Sequence, residues 1–452
     1  MLKKLRQSLA AVSIIMVTLL FLDFTGTVHA WFGWMAKIQF LPALLALNLG
    51  VIVALVALTL LLGRVYCSVI CPLGIMQDGF AWFGKKAKKN RYSYSPAKNI
   101  LRYVMLVIMA IAIIAGIGSV VALLAPYSAY GRIVQSILAP VWAFFNNLLA
   151  SWAEKEGSYS FYTIDIWLKS GITLGVAILT LVALGILAWR NGRTYCNTVC
   201  PVGTVLGLLS RFSLFRPVID TSKCNGCGLC ARNCKSACID SKSHKIDYSR
   251  CVTCMDCLSK CNKGAISYAF SPKANMKAGN EAIAADTDSK NVDNGRRQFL
   301  TAGVAIATAA AATAQEKVVD GGLAVIEDKK IPHRKTRIVP PGAQSIRNLT
   351  THCTACQLCV SVCPNGVLRP SSDVLTLMQP ESSYERGYCR PECTKCSNVC
   401  PTGAILPISV ADKSSIQIGH AVWVKENCVP VTDGVECGNC ARHCPAGAIL
   451  MV

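Results

Sequence analysis

The sequence predicts an α-helical membrane protein that carries two small, cysteine-rich α+β domains. Three observations support this fold class: long apolar runs, an internal repeat that ends two of them, and tightly spaced groups of cysteines. Of the 452 residues, 52% are hydrophobic and only 16% are charged, whereas about 25% are charged in ordinary soluble domains. A single soluble globule and a disordered chain are therefore both excluded.

Four apolar runs are predicted to be membrane-spanning helices, because each approaches the roughly 20 residues that a spanning helix needs. They cover residues 8–22, 41–62, 104–125 and 171–189. The first run resembles a signal peptide, but a second run follows and no small-residue cleavage site is present, which indicates an uncleaved anchor.

Lysine and arginine predict the orientation of these helices, since basic residues concentrate on the cytoplasmic side. The segment between runs two and three carries eight of them, whereas the segment between runs one and two carries only Lys37. Both ends of the four-helix block are therefore predicted to be cytoplasmic, and this topology explains much of the net charge of +21. No helix-turn-helix or RNA-binding motif is present, so no nucleic-acid partner is expected. Residues 126–170 are predicted to form an outer loop along the membrane interface.

An internal repeat makes residues 1–203 a membrane domain with two copies of a two-helix unit. Residues 63–74 read GRVYCSVICPLG and residues 192–203 read GRTYCNTVCPVG. Their C-x3-C-P motifs place four cysteines at the cytoplasmic face: Cys67, Cys71, Cys196 and Cys200. These cysteines are expected to bind a metal or to act in redox chemistry, with reduced structural thiols as the alternative.

Residues 204–270 form the first cysteine-rich domain, on the cytoplasmic side. Two consecutive C-x2-C-x2-C-x3-C runs have the spacing of bacterial ferredoxins, in which the fourth cysteine of each run binds the other [4Fe-4S] cluster. The predicted ligand sets are Cys224, Cys227, Cys230 and Cys261 for one cluster and Cys251, Cys254, Cys257 and Cys234 for the other. Zinc is the alternative, but it prefers two C-x2-C pairs with a longer spacer. Cys238 is interpreted as a buried thiol that is not a ligand.

Residues 316–452 form the second cysteine-rich domain, which contains three cysteine runs. The same crossing rule pairs the second run with the third. The predicted sets are Cys389, Cys393 and Cys396 with Cys444, and Cys428, Cys437 and Cys440 with Cys400. The first run, Cys353, Cys356, Cys359 and Cys363, is then left with an incomplete site. The chain is thus expected to hold four complete [4Fe-4S] clusters, and a fifth site that is doubtful.

Two segments separate these domains. Residues 271–294 read as a polar linker. Residues 295–315 contain Arg296 and Arg297 before a weakly apolar stretch, as in a twin-arginine export signal or a fifth membrane anchor. Export would place the second cysteine-rich domain in the periplasm. If the segment is only an alanine-rich helix, every cluster is cytoplasmic.

The paired C-x3-C-P motifs followed by a two-cluster domain resemble the NapH/MauN-type quinol dehydrogenase membrane subunits, and are similar to the membrane part of NosR. The twin-arginine segment with its multi-cluster domain resembles NapG. The resemblance implies a NapH-like protein fused to a NapG-like protein in the bacterial inner membrane. It further implies electron transfer from the quinone pool to a periplasmic reductase or cytochrome. NapG-like domains carry a fourth cysteine run, so the resemblance implies either that the second domain is incomplete at its C-terminus or that the site of the first run is empty or rearranged.

The predicted function is therefore an electron-transfer component of a quinol dehydrogenase that is not a complete enzyme by itself. Quinol oxidation needs a proton acceptor, and Asp23 and His29 near the outer end of the first helix are the hypothetical candidates. An interfacial, solvated Asp23 is the alternative. Two other functions stay open: a redox-sensing or maturation factor, and a membrane-anchored cytoplasmic ferredoxin.

Overall fold

The computed structural model describes residues 2–23, 25–87, 92–158, 161–164, 166–271, 319–320, 324–325, 336–384, 387–444 and 448–450. The chain divides into two compact units. The first contains Met1–Asn275 and Thr336–His420, and the second contains Met276–Lys335 and Ala421–Val452. Nearly all of the predicted linker and all of the predicted export segment lie outside the described residues.

The first unit begins with thirteen described α-helices. In chain order they are α1 (Leu2–Leu22), α2 (Thr27–Phe32), α3 (Trp34–Lys37), α4 (Phe40–Leu45), α5 (Leu49–Leu62), α6 (Pro72–Ala87), α7 (Asn99–Ala115), α8 (Gly118–Leu124), α9 (Pro126–Ile133), α10 (Ala139–Lys155), α11 (Gly171–Asn191), α12 (Thr194–Thr198) and α13 (Pro201–Ser210). Single π-helical turns at Tyr66–Ile70 and Val134–Leu138 precede α6 and α10.

Three helical stretches among the described residues are long and apolar enough to cross a membrane. They are α1, the continuous helix Pro126–Lys155, and α11. At 1.5 Å per residue the 21 residues of α1 extend about 30 Å, which matches the hydrocarbon thickness of a bilayer. Large apolar side chains on other helices are also exposed, such as Ile114 at 86% and Val53 at 66%. The helices and their exposed apolar faces fit a membrane protein.

Two of the four predicted spans are interrupted. Run 41–62 divides into α4 and α5 at Leu47, which has a positive φ of 51°, and the Asn48 side chain caps α5 by accepting the Val51 N–H. Run 104–125 divides into α7 and α8 at Gly116, whose φ of 71° ends α7. The predicted number of four continuous spans is therefore not confirmed, because apolar composition alone does not reveal a local reversal of backbone conformation.

The predicted outer loop 126–170 is wrong for its first part, since residues 126–155 form a continuous helix. Pro126 occupies the first turn, where its missing N–H costs nothing. Ser128 and Arg132 lower the hydropathy of this stretch, yet both are fully buried inside the bundle. Trp142, Phe144 and Phe145 are exposed on its C-terminal half.

The first cysteine-rich domain continues directly from α13. Strand β1 (Phe215–Ile219) pairs antiparallel with β4 (Ile266–Phe270), and β2 (Ile239–Asp240) pairs with β3 (Lys245–Ile246). One turn of helix, α14 (Leu229–Arg232), and a 3-10 turn (Leu258–Lys260) complete the domain. This arrangement encloses a small apolar core that includes Cys238, Ile239 and Ile266.

The second cysteine-rich segment is distributed over both units. In the second unit, β5 (Val319–Asp320) pairs with β6 (Ala324–Val325). The first unit contains α15 (Ile346–His352), α16 (Leu358–Ser361), β7 (Leu368–Pro370), β8 (Pro380–Ser382), α17 (Lys395–Val399) and α18 (Val410–Ser415). In the second unit again, a 3-10 turn (Lys425–Asn427) precedes α19 (Val429–Thr432) and α20 (Asn439–Arg442).

Within the first unit, the two cysteine-rich parts contact opposite ends of α1. Near its N-terminus, Lys3 Nζ lies 2.9 Å from Asp256 Oδ1 in the first domain. Beyond its C-terminus, Lys395 Nζ donates to the Thr25 carbonyl oxygen at 3.3 Å, and α1 also contacts α16. The length of α1 therefore separates the two cysteine-rich parts.

Candidate metal centres

Four cysteines of the first domain surround one cavity of about 180 Å³. Cys224, Cys227, Cys230 and Cys261 all line it, together with Leu229 and Ile266 among its apolar walls. The two strands β1 and β4 bring Cys261 back to the loop that precedes α14. The structure thus brings together the four residues that the sequence predicted as one ligand set.

A second and narrower cavity of about 20 Å³ lies beside the other predicted set. Cys234, Cys251, Cys254 and Cys257 line it, and so does Cys238. Cys238 is 1% exposed, and its Sγ lies 3.5 Å from Cys234 Sγ. The hydrogen bond from Cys238 lowers the pKa of Cys234 to about 7. Cys238 therefore contacts a predicted ligand directly, a neighbour that the sequence spacing did not reveal.

The cysteine loops share an unusual backbone conformation. In each C-x2-C-x2-C loop the residues before and after the middle cysteine have positive φ: Gly226 and Gly228, Thr253 and Met255, Ala355 and Gln357. Four of these six residues are not glycine, so the conformation carries strain that a site must compensate. Such turns direct successive N–H groups into a concave surface that suits an anion, as at many iron–sulfur sites.

The donor set also fits a cluster with thiolate ligands. Backbone N–H groups donate to three of the predicted ligand sulfurs: Ala265 to Cys261 at 3.2 Å, Ala355 to Cys353 at 3.3 Å and Ala448 to Cys444 at 3.4 Å. Lys413 is 4% exposed and its Nζ donates to Cys389 Sγ at 3.2 Å. Hydrogen bonds to sulfur stabilise the reduced cluster and tune its potential.

The described residues contain no group of three or more His, Cys, Asp or Glu side chains positioned around a single metal ion. A [4Fe-4S] cluster is larger than a single metal ion, so its cysteine ligands are farther apart and surround a cavity. Burial raises the pKa of Cys254 and of Cys356 to about 12. These thiols would therefore be deprotonated through metal binding and not by the surrounding protein.

In the second cysteine-rich segment, the structure brings the first and second cysteine runs together. Cys400 interacts electrostatically with Cys353, Cys356 and Cys359 of the first run. Conversely, Cys363 of the first run lies near Cys396 of the second run. Cys389 and Cys393 also lie near Cys396. The first and second runs share one apolar core with Leu349 and Ile405. The structure thus associates runs one and two, whereas the prediction paired Cys400 with run three and left run one incomplete.

The third run lies in the second unit. Cys428, Cys437 and Cys444 are partly exposed there, and Cys440 is exposed. A one-turn helix, α20, carries Cys440. The crossing rule predicted that Cys444 joins Cys389, Cys393 and Cys396, and that Cys400 joins the third run. Because the third run belongs to the second unit, this pairing stays a prediction.

The four C-x3-C-P cysteines are buried within the helix bundle. Cys67, Cys71, Cys196 and Cys200 are each 4–5% exposed. Cys71 and Cys200 both have an extended backbone immediately before a helix that starts with proline. Both prolines fit the first helical turn. The two copies of the repeat thus present their cysteines in the same local setting.

Two arginines connect the repeats crosswise. Arg64 donates to the Cys196 carbonyl at 3.2 Å, and Arg193 donates to the Cys67 carbonyl at 2.7 Å. Their guanidinium groups also approach a cysteine sulfur, at 3.8 Å for Arg64 to Cys67 and 3.9 Å for Arg193 to Cys196. Both arginines are fully buried. A buried positive charge therefore lies beside the sulfur of Cys67 and beside that of Cys196.

A family model described as a 4Fe-4S binding domain matches residues 44–91 and again residues 173–219. A second model, described as a 4Fe-4S dicluster domain, matches residues 352–405. The chain carries 4Fe-4S ferredoxin domains. The first model covers both copies of the membrane repeat. The dicluster match spans the first and second cysteine runs of the second segment, which are the two runs that share a core in the structure.

Several relatives are named as ferredoxin-type proteins. The chain is 28% identical over 207 residues to the methylamine utilization ferredoxin-type protein MauN of Paracoccus denitrificans, covering 45% of this chain and 57% of the relative. It is 26% identical over 231 residues to the ferredoxin-type protein NapH of Escherichia coli, covering 49% and 67%. An uncharacterised protein of Methanocaldococcus jannaschii, MJ0749, is 38% identical over 108 residues, which cover 24% of this chain and 42% of that protein. No solved structure matches the chain.

These findings support the prediction of an iron–sulfur protein similar to the NapH and MauN ferredoxin-type proteins. The ferredoxin-type relatives and the 4Fe-4S domains support an electron-transfer role. The chain spans about two fifths to two thirds of the length of these relatives. The NapG-like fusion and the twin-arginine segment stay predictions.

The sequence alone does not single out the charged residues around the cysteines. Asp78 receives ion pairs from Arg193 at 2.7 Å and from Arg6 and Lys235 at 3.1 Å each. Because Lys235 belongs to the first cysteine-rich domain, its ion pair with Asp78 connects this domain to α6, and Lys235 also pairs within the domain with Asp256 at 3.1 Å. The repeat does contain one signal for the two buried arginines, since a Gly-Arg pair precedes each C-x3-C-P motif.

The structure brings Asp23 and His29 together. His29 Nδ1 lies 3.0 Å from Asp23 Oδ2, and the backbone N–H groups of Thr25, Gly26 and His29 also donate to this carboxylate. Burial raises the pKa of Asp23, but these hydrogen bonds outweigh burial and lower it overall. Burial lowers the pKa of His29 by more than Asp23 raises it. The imidazole is therefore neutral near pH 7, and its Nε2 is buried without a hydrogen-bond partner.

Proposed function

We propose that the protein is an electron-transfer subunit of the bacterial inner membrane that takes electrons from quinol and delivers them to a periplasmic reductase or cytochrome. The observation that carries this proposal is the attachment of 4Fe-4S domains to opposite ends of a 21-residue apolar helix. In this proposal the first domain faces the cytoplasm and the second segment faces the periplasm. We also propose that the chain is a fusion of a NapH-like part with a NapG-like part.

We infer four complete clusters within the described ferredoxin segments of the first unit. The first domain uses the two predicted crossed sets. In the second segment we assign Cys353, Cys356, Cys359 and Cys400 to one cluster, and Cys389, Cys393, Cys396 and Cys363 to the other, because these residues share one core. When bound, such clusters supply one-electron transfer. The third run, Cys428, Cys437, Cys440 and Cys444, is a further candidate site.

The C-x3-C-P cysteines lie between the helices and the first domain, and we assign them a redox or metal-binding role. Cys67 and Cys196 have a buried arginine beside each sulfur. A buried charge is costly without a partner of opposite sign. Arg193 forms an ion pair with the Asp78 carboxylate. The hydrogen bonds of Arg64, in contrast, go to uncharged carbonyl and amide oxygens and to a cysteine sulfur. An anionic centre at the four sulfurs would compensate this charge.

The Asp23–His29 pair is the proposed proton acceptor for quinol. Asp23 holds the proton of a neutral imidazole on Nδ1, which leaves Nε2 free to accept a proton. A cavity of about 320 Å³ beside Asp23 is lined by Leu19, Trp142 and Phe161. This cavity shares two of its lining residues with the neighbouring cavity beside the Cys353–Cys359 loop, so a proton released by a quinol bound there is close to the pair.

Anaerobic reduction of the full-length protein tests the proposed function. Addition of a menaquinol analogue to the protein in liposomes is expected to bleach the cluster absorption and to produce the EPR signals of reduced clusters, with sustained flux when an electron acceptor is added. A sensor or maturation factor would be reduced once without sustained flux. A protein whose clusters respond to dithionite but never to quinol would contradict the proposal.

A further inference from the structure

One cavity in the first unit lies directly against the first cysteine run of the second segment. It has a volume of about 130 Å³, and its apolar walls include Phe21, Pro140 and Trp167. An apolar cavity of roughly 150 Å³ holds a benzene ring. This cavity therefore has room for one aromatic ring, and its position beside the membrane helices makes a lipophilic ligand the natural occupant.

Two buried polar groups in its wall have no hydrogen-bond partner. They are Thr173 Oγ1 near the start of α11 and Gln357 Nε2 on the cysteine loop. Thr173 and Gln357 are each only 2% exposed. Buried polar atoms are nearly always paired in folded proteins, and an unpaired one calls for an explanation. A ligand that carries oxygen atoms would supply both partners.

The conformation of Gln357 strengthens this point. Its φ is 65°, and the equivalent positions of the first domain are Gly228 and Met255, with φ of 70° and 61°. The loop therefore requires neither an amide nor any polar group at this position. Gln357 has both a strained backbone and an unpaired side-chain amide, and both are unfavourable. We therefore expect this side chain to bind a ligand.

Other polar residues in the same wall are already paired. Lys169 Nζ donates to the Val360 carbonyl at 3.3 Å. It also donates to the Gln135 side-chain oxygen at 2.9 Å, in the amide orientation in which Gln135 donates to the Phe21 carbonyl at 3.2 Å. These bonds fix the wall of the cavity and leave Thr173 and Gln357 as its unsatisfied groups.

A larger cavity at the other end of the bundle is a weaker candidate. It has a volume of about 710 Å³, and its charged lining includes Arg6, Asp78 and Lys235. Arg6 and Lys235 each form an ion pair with Asp78 at 3.1 Å. The charge of Asp78 is therefore compensated within the protein, and although Arg6 Nε is buried without a partner, Nη1 of the same guanidinium already binds protein acceptors.

We propose that the cavity between α11 and the Cys353–Cys359 loop binds the ring of a membrane quinol, with Thr173 and Gln357 hydrogen-bonding its oxygen atoms. This inference rests on the proposed function and identifies its substrate site. Gln357 lies between Cys356 and Leu358, so a bound ring is adjacent to the first cluster of the second segment. Trp167 and Phe21 supply aromatic contacts to the ring.

The redox step balances with groups that the proposed function already includes. A quinol loses two electrons and two protons as its two O–H bonds break and two C=O bonds form. The electrons would pass one at a time to oxidised iron–sulfur clusters held by the second segment, and the protons would pass to the Asp23–His29 pair, the proposed acceptor, and from there to water.

Binding of the quinol analogue 2-heptyl-4-hydroxyquinoline N-oxide to the detergent-solubilised holoprotein tests this site. Its fluorescence is expected to be quenched saturably by the wild type. Gln357→Met, which copies the residue of the second loop, and Thr173→Val are each expected to weaken binding by about three- to tenfold, the effect of losing one hydrogen bond. Thr180→Val is the matched control on α11, since the Thr180 hydroxyl donates to the Val176 carbonyl, and it is expected to bind as the wild type does.

Iron content and the dithionite-reduced EPR spectrum confirm that each variant is folded and loaded. Saturable wild-type binding that both variants retain at full strength would overturn the site while leaving the proposed function intact. Wild-type protein that neither binds the analogue nor accepts electrons from menaquinol, but is reduced by dithionite, would overturn the proposed function as well.

Discussion

Cys400 illustrates how the conformation of a single residue affects which cysteine runs lie together. Its backbone is extended after α17 and before Pro401, a conformation that proline imposes on the preceding residue. This turns the thiol away from its own run, and Cys400 interacts electrostatically with Cys353, Cys356 and Cys359. The fourth cysteine of run two therefore belongs with run one.

Replacement of this cysteine tests the pairing. Cys400→Ser is expected to disrupt the cluster of Cys353, Cys356 and Cys359, whereas Cys444→Ser is expected to leave both clusters of the first unit's second segment intact. Iron analysis and EPR spectroscopy of the two purified variants measure the difference. Equal loss of the same cluster signals in Cys444→Ser would restore the pairing of runs two and three.

Asp23 and His29 make a second prediction at this scale. His29 must be neutral to accept a proton, and burial holds its pKa below the ordinary value, so the rate of quinol oxidation is expected to fall only at a pH below the range in which an ordinary imidazole titrates. Asp23→Asn removes the partner that raises the His29 pKa. The acidic limb is then expected to move to lower pH, while the maximal rate falls severalfold.

A pH profile of cluster reduction between pH 5 and 8 measures both effects. Asp373→Asn provides the control, since Asp373 is exposed in the second ferredoxin segment. An unchanged profile in Asp23→Asn would show that Asp23 is a solvated interfacial residue without a role in proton transfer.

At the scale of elements, the two repeats depend on glycines at equivalent positions. A Cβ at Gly74 would clash with the Cys67 carbonyl and would meet Arg193 Nη1 at 2.7 Å, and a Cβ at Gly203 would clash with the Cys196 carbonyl and meet Arg64 Nη2 at 2.9 Å. These glycines allow each cysteine motif to pack against the following helix and against the arginine of the other repeat.

Gly74→Ala is expected to destabilise the protein by about 1–3 kcal/mol, because a closely packed interior does not absorb an added methyl group. Gly79→Ala on the same helix is the control, since a Cβ there meets nothing within 4 Å, and a gain of about 0.5–1 kcal/mol is expected. Thermal unfolding followed by tryptophan fluorescence measures both. Equal stability of the two variants would mean that the repeats do not interlock as described.

Elements also show how far the sequence can predict this fold. The cysteine spacing correctly indicated a 4Fe-4S domain at residues 352–405, which a family model matches, because a cluster imposes strict local geometry on its loop. The interruption of the apolar runs at Leu47 and Gly116, and the buried polar face of Pro126–Lys155, depend on neighbouring helices, so composition alone missed them. The partner of each cysteine run and the charges around Asp78 likewise arise from contacts between distant segments.

For the whole molecule, the proposal requires the two ferredoxin segments to face opposite sides of the membrane. A protease site inserted after Gly419 is expected to be cut from outside in spheroplasts, whereas one inserted after Lys242 is expected to be cut only after lysis. Both positions are next to exposed residues of the described chain. Cleavage of both sites only after lysis would favour a membrane-anchored cytoplasmic ferredoxin.

The central claim is that this membrane protein holds iron–sulfur clusters in its cysteine loops, and spectroscopy of the anaerobically purified full-length chain tests it most directly. We expect brown protein with iron and acid-labile sulfide in equal amounts, and EPR signals of [4Fe-4S] clusters after reduction by dithionite. Colourless protein that contains zinc or no metal, and that gives no EPR signal after reduction, would contradict the account.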